Sequence, residues 1–167
     1  MIEGLILTVI ALLWARWSKF DLAFRAPLMK GAWPWSILFI AWIVCERAVL
    51  YLSPDGIDSA WLQKIEQLSL AQYVLLFVLI GPITEELLFR GAMFSALMRR
   101  WGVRTAVIVP SILWALLHVQ YEPWVIASIA ISGVMLAIIR WESGSLYVPI
   151  ALHSAYNLCD LVLSYLP

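Results

Sequence analysis

The chain has 167 residues, 63% of them hydrophobic and only 13% charged, with a mean hydropathy of +0.90. A soluble domain of this size has no use for that much apolar surface, so the composition points to a bundle of membrane-spanning helices. The formal net charge is zero and there is no basic run, which excludes nucleic acid as a partner.

Six apolar segments follow one another. The first covers about residues 2–17. With no basic region ahead of it and no small-residue cleavage site, it reads as a span rather than a secretory signal. A basic, amphipathic connection follows, with Arg16, Lys19, Arg25 and Lys30. The second span, about 34–52, ends at Ser53-Pro54-Asp55-Gly56, a strong turn signal. Near its end Glu46 and Arg47 are adjacent in sequence and so are not expected to face each other; each is expected to snorkel or to meet another helix. An acidic loop to about residue 68 has room for a short surface helix. The third helix starts near Leu70 and has no clear stop before Trp101-Gly102; Pro82 predicts a kink within it. The fourth span is about 105–119, the fifth about 123–139 and the sixth about 148–166. Most tryptophans, including Trp33, Trp101, Trp124 and Trp141, fall where a span leaves the hydrocarbon. Cys45 and Cys159 have no metal-ligand spacing and read as small core residues. The predicted fold is all-α, a polytopic membrane helix bundle. No internal repeat divides it, so residues 1–167 read as a single integral membrane domain with a motif-bearing core over about 70–166.

Basic residues orient the ladder. Arg16, Lys19, Arg25, Lys30, Arg99, Arg100, Arg104 and Arg140 fall on one side of six spans, and Lys64 on the other. The expected location is the inner (cytoplasmic) membrane, multi-pass, with both termini outside and the basic loops in the cytoplasm.

The chemistry gathers at Gly81-Pro82-Ile83-Thr84-Glu85-Glu86-Leu87-Leu88-Phe89-Arg90-Gly91. A charge at the bilayer centre costs about 2.5–3.5 kcal/mol, so two carboxylates and a guanidinium left alone would cost roughly 8–10 kcal/mol. Glu86 and Arg90 are i and i+4 with the acid first, the favourable order for a pair. Glu85 lies about 100° round the helix and is left over, free to face a cavity as a general base. Trp114 and His118 are i and i+4 in the fourth span, and His153 and Asn157 are i and i+4 in the sixth. Residues 85 and 118 are nearly equidistant from the turn at Trp101-Gly102, which makes a Glu85–His118 pair geometrically natural. His153 lies shallower in a simple ladder. Either the 141–150 loop re-enters the membrane, or the third helix bends at Pro82 and brings its acids toward the cytoplasm. Taken singly, each histidine reads as a satisfied core residue, Trp114 as packing and Asn157 as an interhelical hydrogen bond.

Glu85-Glu86-Leu87-Leu88-Phe89-Arg90, then Trp114-Ala115-Leu116-Leu117-His118, then His153-Ser154-Ala155-Tyr156-Asn157 resemble the three motifs of the CPBP family. These glutamic-type intramembrane proteases include CAAX prenyl endopeptidases and bacteriocin-processing or self-immunity proteins. The resemblance covers about residues 70–166, and Trp114 stands where phenylalanine is usual. In size the chain is similar to small bacterial members that act as sorting proteases on C-terminal anchor tails. The resemblance implies hydrolysis of a peptide bond near the C-terminal region of a membrane-anchored protein or peptide substrate. Glu85 would take a proton from a water held between it and His118. His153 and Asn157 would donate to the developing oxyanion, with Glu86, Arg90 and Trp114 as supporting residues.

No cofactor is implied. Two histidines and a carboxylate could hold zinc, but with no His-Glu-x-x-His the metal-free route ranks first. A Gly-x-Ser-x-Gly nucleophile site and a pair of intramembrane aspartates are both missing. Two other classes of function use the same residues. One is a non-catalytic immunity or peptide-binding membrane protein. The other is a proton-coupled transporter, against which six short spans without an inverted repeat argue.

Overall fold

The computed structural model describes residues 21–52 and 67–164, together with Ile6, Val9, Leu13 and Arg16. Apart from those four positions, the first expected span lies outside the described residues, as does the loop over 53–66. The architecture is all-α, with no strand among the described residues.

Helix α1 spans Met29–Leu52, beginning five residues before the expected start, so that Pro34 lies inside it. The segment ahead of it is tied to the far end of the chain by hydrogen bonds. Leu146 N–H donates to Ala23 O at 2.9 Å and Leu28 N–H to Ser143 O at 2.8 Å. The Ser145 hydroxyl donates to Arg25 O at 2.7 Å.

Residues Leu70–Leu116 form a helical stretch of 47 residues. Gly102, at φ 79° and ψ 179°, breaks it into two arms, α2 (70–101) and α3 (103–116). Ser69 starts α2 with a capping box: its hydroxyl accepts from Gln72 N–H, and its own N–H donates to Gln72 Oε1 at 2.9 Å. Helix α2 is not regular. Turns of the wider i→i+5 kind run over Val74–Ile80 and again over Leu87–Met93, on either side of the regular turns of Gly81–Glu86. The chain answers Pro82 by widening: Gly81 N–H reaches back five residues to Leu76 O. Such widened turns recur at functional positions.

Helix α4 is Pro123–Ser143 and ends on Gly144, which sits at φ 62° in the left-handed cap conformation. Helix α5 is Tyr147–Ser164. Among the described residues, three stretches are long and apolar enough to cross a membrane: Met29–Val49, Leu70–Leu116 and Pro123–Ser143. The middle one contains both the third and the fourth span expected from sequence. The sixth, here α5, is not among the three; it carries His153, Asn157 and Asp160.

Helix α4 is the hub. Its buried small residues Ser128, Ser132 and Gly133 let neighbours approach closely. Trp42 of α1 donates from Nε1 to Ser132 Oγ at 3.1 Å. Phe39 of α1, Phe89 of α2, Trp114 of α3, Leu136 of α4 and Tyr156 of α5 meet in one core. Large apolar side chains such as Ile40, Val44, Leu75, Leu79 and Val162 face outward, as a lipid-facing surface requires. Cys45 and Cys159 are exposed as well. This corrects their reading as core residues. In a bilayer the outside of a helix is as apolar as its inside, so hydrophobic flanks do not mark burial. Trp33, Trp101, Trp124 and Trp141 are exposed near helix ends. Arg140, expected in a basic loop, is buried in the last turn of α4 with its guanidinium 5.5 Å from the Phe94 ring centre.

The break at Gly102 yields a clean test. A Cβ at this position meets nothing within 4 Å, so Gly102→Ala changes backbone preference alone. The φ/ψ pair is accessible essentially only to glycine. The expected loss is on the order of 1–3 kcal/mol, read as a lowered unfolding midpoint in detergent.

Candidate active site

Glu86 and Arg90 lie one turn apart on α2, and both are fully buried. Arg90 Nη1 donates to Glu86 Oε1 at 2.8 Å, and its Nη2 donates to the Gly133 carbonyl at 3.1 Å. The guanidinium also lies 4.5 Å from the centre of the Trp114 ring, face-on. A carboxylate, a backbone oxygen and a π-face surround the buried guanidinium, while its Nε has no hydrogen-bond partner. The expected i,i+4 pair is therefore present, anchored to α4 as well.

Glu85 is turned away from that pair and stays about a third exposed, at 35% of its side chain. Trp114 Nε1 donates to Glu85 Oε2 at 2.6 Å. His153 reaches the same place from α5. Its Nδ1 lies 3.0 Å from Glu86 Oε1 and its Nε2 lies 3.9 Å from Glu85 Oε2. Its ring meets Trp114 edge-on, with centres 5.1 Å apart. Since the partner of Nδ1 is the carboxylate bound to Arg90, that nitrogen carries the proton, and Nε2 is directed to Glu85.

His118 departs from expectation. Helix α3 ends at Leu116, so His118 sits in the turn beyond it rather than on the helical face. Its N–H bonds Ala115 O at 3.0 Å, and its Nδ1 lies 2.9 Å from Trp114 O. A carbonyl can only accept, so Nδ1 is the donor, adding a second hydrogen bond to a carbonyl that also accepts from Leu117 N–H at 3.1 Å, and Nε2 is left available. The ring lies edge-on to Trp114 at 5.4 Å and stacks over Tyr121 at 6.1 Å. Trp114, not His118, is thus the α3 group bonded to Glu85, and His118 flanks the indole. The equal-depth count that pairs residues 85 and 118 assumes a constant rise. Wide turns in α2 advance less per residue, which draws Glu85 toward the Gly102 end of the hairpin. His153 of α5 nonetheless reaches both acids, at 3.0 Å from Glu86 Oε1 and 3.9 Å from Glu85 Oε2.

Asn157 Nδ2 donates to Phe77 O in the first widened stretch of α2, at 2.7 Å. One of its two amide protons therefore ties α5 to α2, and the other remains for chemistry. Glu85, Glu86, Arg90, Trp114 and His153 come together directly, with His118 and Asn157 at the rim. Among the described residues, no three His, Cys, Asp or Glu side chains are grouped as a metal site needs.

Two contributions are not legible in the sequence. One is Gly133, whose carbonyl serves Arg90. The other is a second polar cluster of Glu46, Arg47, Ser128, Tyr156 and Asp160 next to α5. A general signal does point to the latter: ionisable residues inside apolar helices imply partners.

Residues 67–159, more than half of the chain, match the family described as Type II CAAX prenyl endopeptidase Rce1-like. The chain belongs to that family. A relative from Escherichia coli, an "Uncharacterized 24.3 kDa protein", is 30% identical over 128 residues, which cover 68% of this chain and 59% of that protein. The chain thus spans under two thirds of that relative's length. No solved structure matches. Membership in a membrane protease family and the apolar helices together make this a membrane protein. All the site residues named above fall within the matched stretch, whereas Glu46 and Arg47 fall outside it.

Close packing at α4 gives a prediction. A Cβ on Gly133 would stand 3.1 Å from Arg90 Nη2, 3.1 Å from Trp114 Cε3 and 3.0 Å from Ser111 Cβ. Gly133→Ala is expected to cost roughly 1–3 kcal/mol through overpacking and a displaced guanidinium, measured by thermal unfolding in detergent.

Proposed function

We propose that the protein is a glutamic-type intramembrane endopeptidase that cleaves a peptide bond near the C-terminal region of a membrane-associated protein. C-terminal tail processing is the intended reaction class. The observation that carries this reading is the 3.9 Å gap between Glu85 Oε2 and His153 Nε2. It is longer than a hydrogen bond and short enough for both groups to contact one small reactant between them.

In this mechanism Glu85 removes a proton from water that His118 Nε2 helps to hold. The hydroxide attacks the substrate carbonyl carbon, and its π electrons move to oxygen. The His153 ring and the second amide proton of Asn157 donate to that oxyanion. Collapse of the intermediate breaks the C–N bond, and Glu85 returns its proton to the leaving amine. The products are a carboxylic acid and an amine, so the acid ends as it began. Trp114 orients the Glu85 carboxylate through Oε2. Glu86 and Arg90 fix His153.

We assign no cofactor to the reaction. The protein is read as one integral membrane domain in the cytoplasmic membrane, with both termini outside and the basic loops cytoplasmic. Its partners are a membrane-anchored protein or peptide and the lipid bilayer.

Purified Glu85→Gln protein should lose cleavage of a co-reconstituted CAAX-like or tail-anchored substrate by about 10²-fold or more, in the range of general acid–base catalysis. Wild-type activity should persist in a strong chelator. Retained cleavage by Glu85→Gln ends this reading, and loss in chelator moves it to a metal-dependent one. A second variant, Trp114→Phe, keeps an aromatic ring in the core while deleting the donor to Glu85 and part of the ring volume. A hydrogen bond to a charged group contributes about 1.5–3 kcal/mol, so kcat should fall roughly 10–100-fold while the protein stays folded.

A further inference from the structure

Outside the site, a densely connected polar group among the described residues is the Glu46–Arg47 pair toward the end of α1. Arg47 Nη2 donates to Glu46 Oε2 at 3.0 Å and to the Tyr156 hydroxyl at 2.6 Å. The Tyr156 hydroxyl donates in turn to Glu46 Oε2 at 2.7 Å. Ser128 of α4 donates to Glu46 Oε1, and Arg47 Nη1 pairs with Asp160. The guanidinium also lies over the Tyr156 ring at 4.8 Å. Adjacent residues that are not expected to face each other are joined because the long arginine folds back along its own helix while meeting α5.

Stability alone is a poor reason for this cluster. Buried ion groups are often no more stabilising than apolar side chains of the same volume. Its position suggests a use. Tyr156 lies between His153 and Asn157 in sequence, and Asp160 is one turn further on. Helix α5 touches α2 through His153 on Glu86 and Asn157 on Phe77 O. Those two contacts lie toward α2, and apolar packing in the shared core adds no directional polar hold on α5. The hydroxyl of Tyr156 and the carboxylate of Asp160, held by α1, supply the opposing grip.

We propose that Glu46 and Arg47 are positioning residues for the reaction, acting through Tyr156 to set the rotation of α5 and so the placement of the His153 imidazole. This rests on the protease reading above and extends it to α1, which lies outside the stretch matched to the family. A misplacement of about 1 Å at a reacting group is enough to cost roughly 100-fold in rate.

The test uses the full chain and two readouts. With only two histidines in the sequence, ¹⁵N-imidazole spectra resolve His153 from His118. Tyr156→Phe removes one oxygen and keeps the ring under Arg47. It is expected to shift or broaden the His153 signals, leave those of His118 in place, and lower kcat at least about 10-fold with KM within about two-fold. Glu46→Ala keeps Arg47 balanced by Asp160 and should reproduce both effects. Glu46→Gln, which retains an acceptor oxygen for Tyr156, should recover most of the loss. His153 signals that coincide with wild type in Tyr156→Phe and Glu46→Ala overturn the proposal. So does an equal movement of both histidines, which would mark a general structural role. If Glu85→Gln protein still cleaves, the glutamate-based reading falls, and the imidazole comparison still decides whether α1 positions His153.

Discussion

One guanidinium inside an apolar bundle governs much of this structure. Arg90 cannot shed its charge, so its surroundings are built to meet it: Glu86 along its own helix, the Gly133 carbonyl from α4 and the face of Trp114 from α3. Each of those partners then has a further consequence. The Glu86 oxygen that accepts from Arg90 also takes His153, Gly133 must lack a side chain, and Trp114 is fixed with its N–H toward Glu85. Four helices are thereby drawn to one point by a single charge that had to be satisfied. The chemistry proposed for Glu85 takes place at the border of this arrangement, where the last acid has been left partly open.

The indole of Trp114 plays an unusual part for a residue in a hydrophobic core. It presents an edge to both histidines, a face to a guanidinium and a donor to a carboxylate. A phenyl ring is smaller than the indole and offers no N–H, so it could not hold Glu85 in this way.

Much of the site can be read from sequence where helical geometry is local. Glu86 and Arg90 pair because four residues make about one turn, and Glu85 is spared because one residue makes about 100°. Reading is poorer where the answer depends on counting along a helix. The His118 placement assumes that α3 runs past it and that α2 rises evenly, and neither is so. Poorer still is anything set by tertiary contact. Nothing local to Glu46 and Arg47 says that their partners lie more than a hundred residues away at Tyr156 and Asp160. The two cysteines mislead for a different reason: hydropathy does not separate core from surface when the solvent is lipid.

The widened turns ahead of the acidic pair bear on how such a chain can vary. A stretch like Val74–Ile80 holds more residues per unit of axial length than ordinary helix. Removing one residue there would tighten the coil, and adding one would loosen it. In neither case need Glu85 and Glu86 swing round by the roughly 100° that an indel in rigid helix imposes. Gaps in alignments of related proteins should therefore collect in this stretch, upstream of an acidic pair whose bearing stays constant.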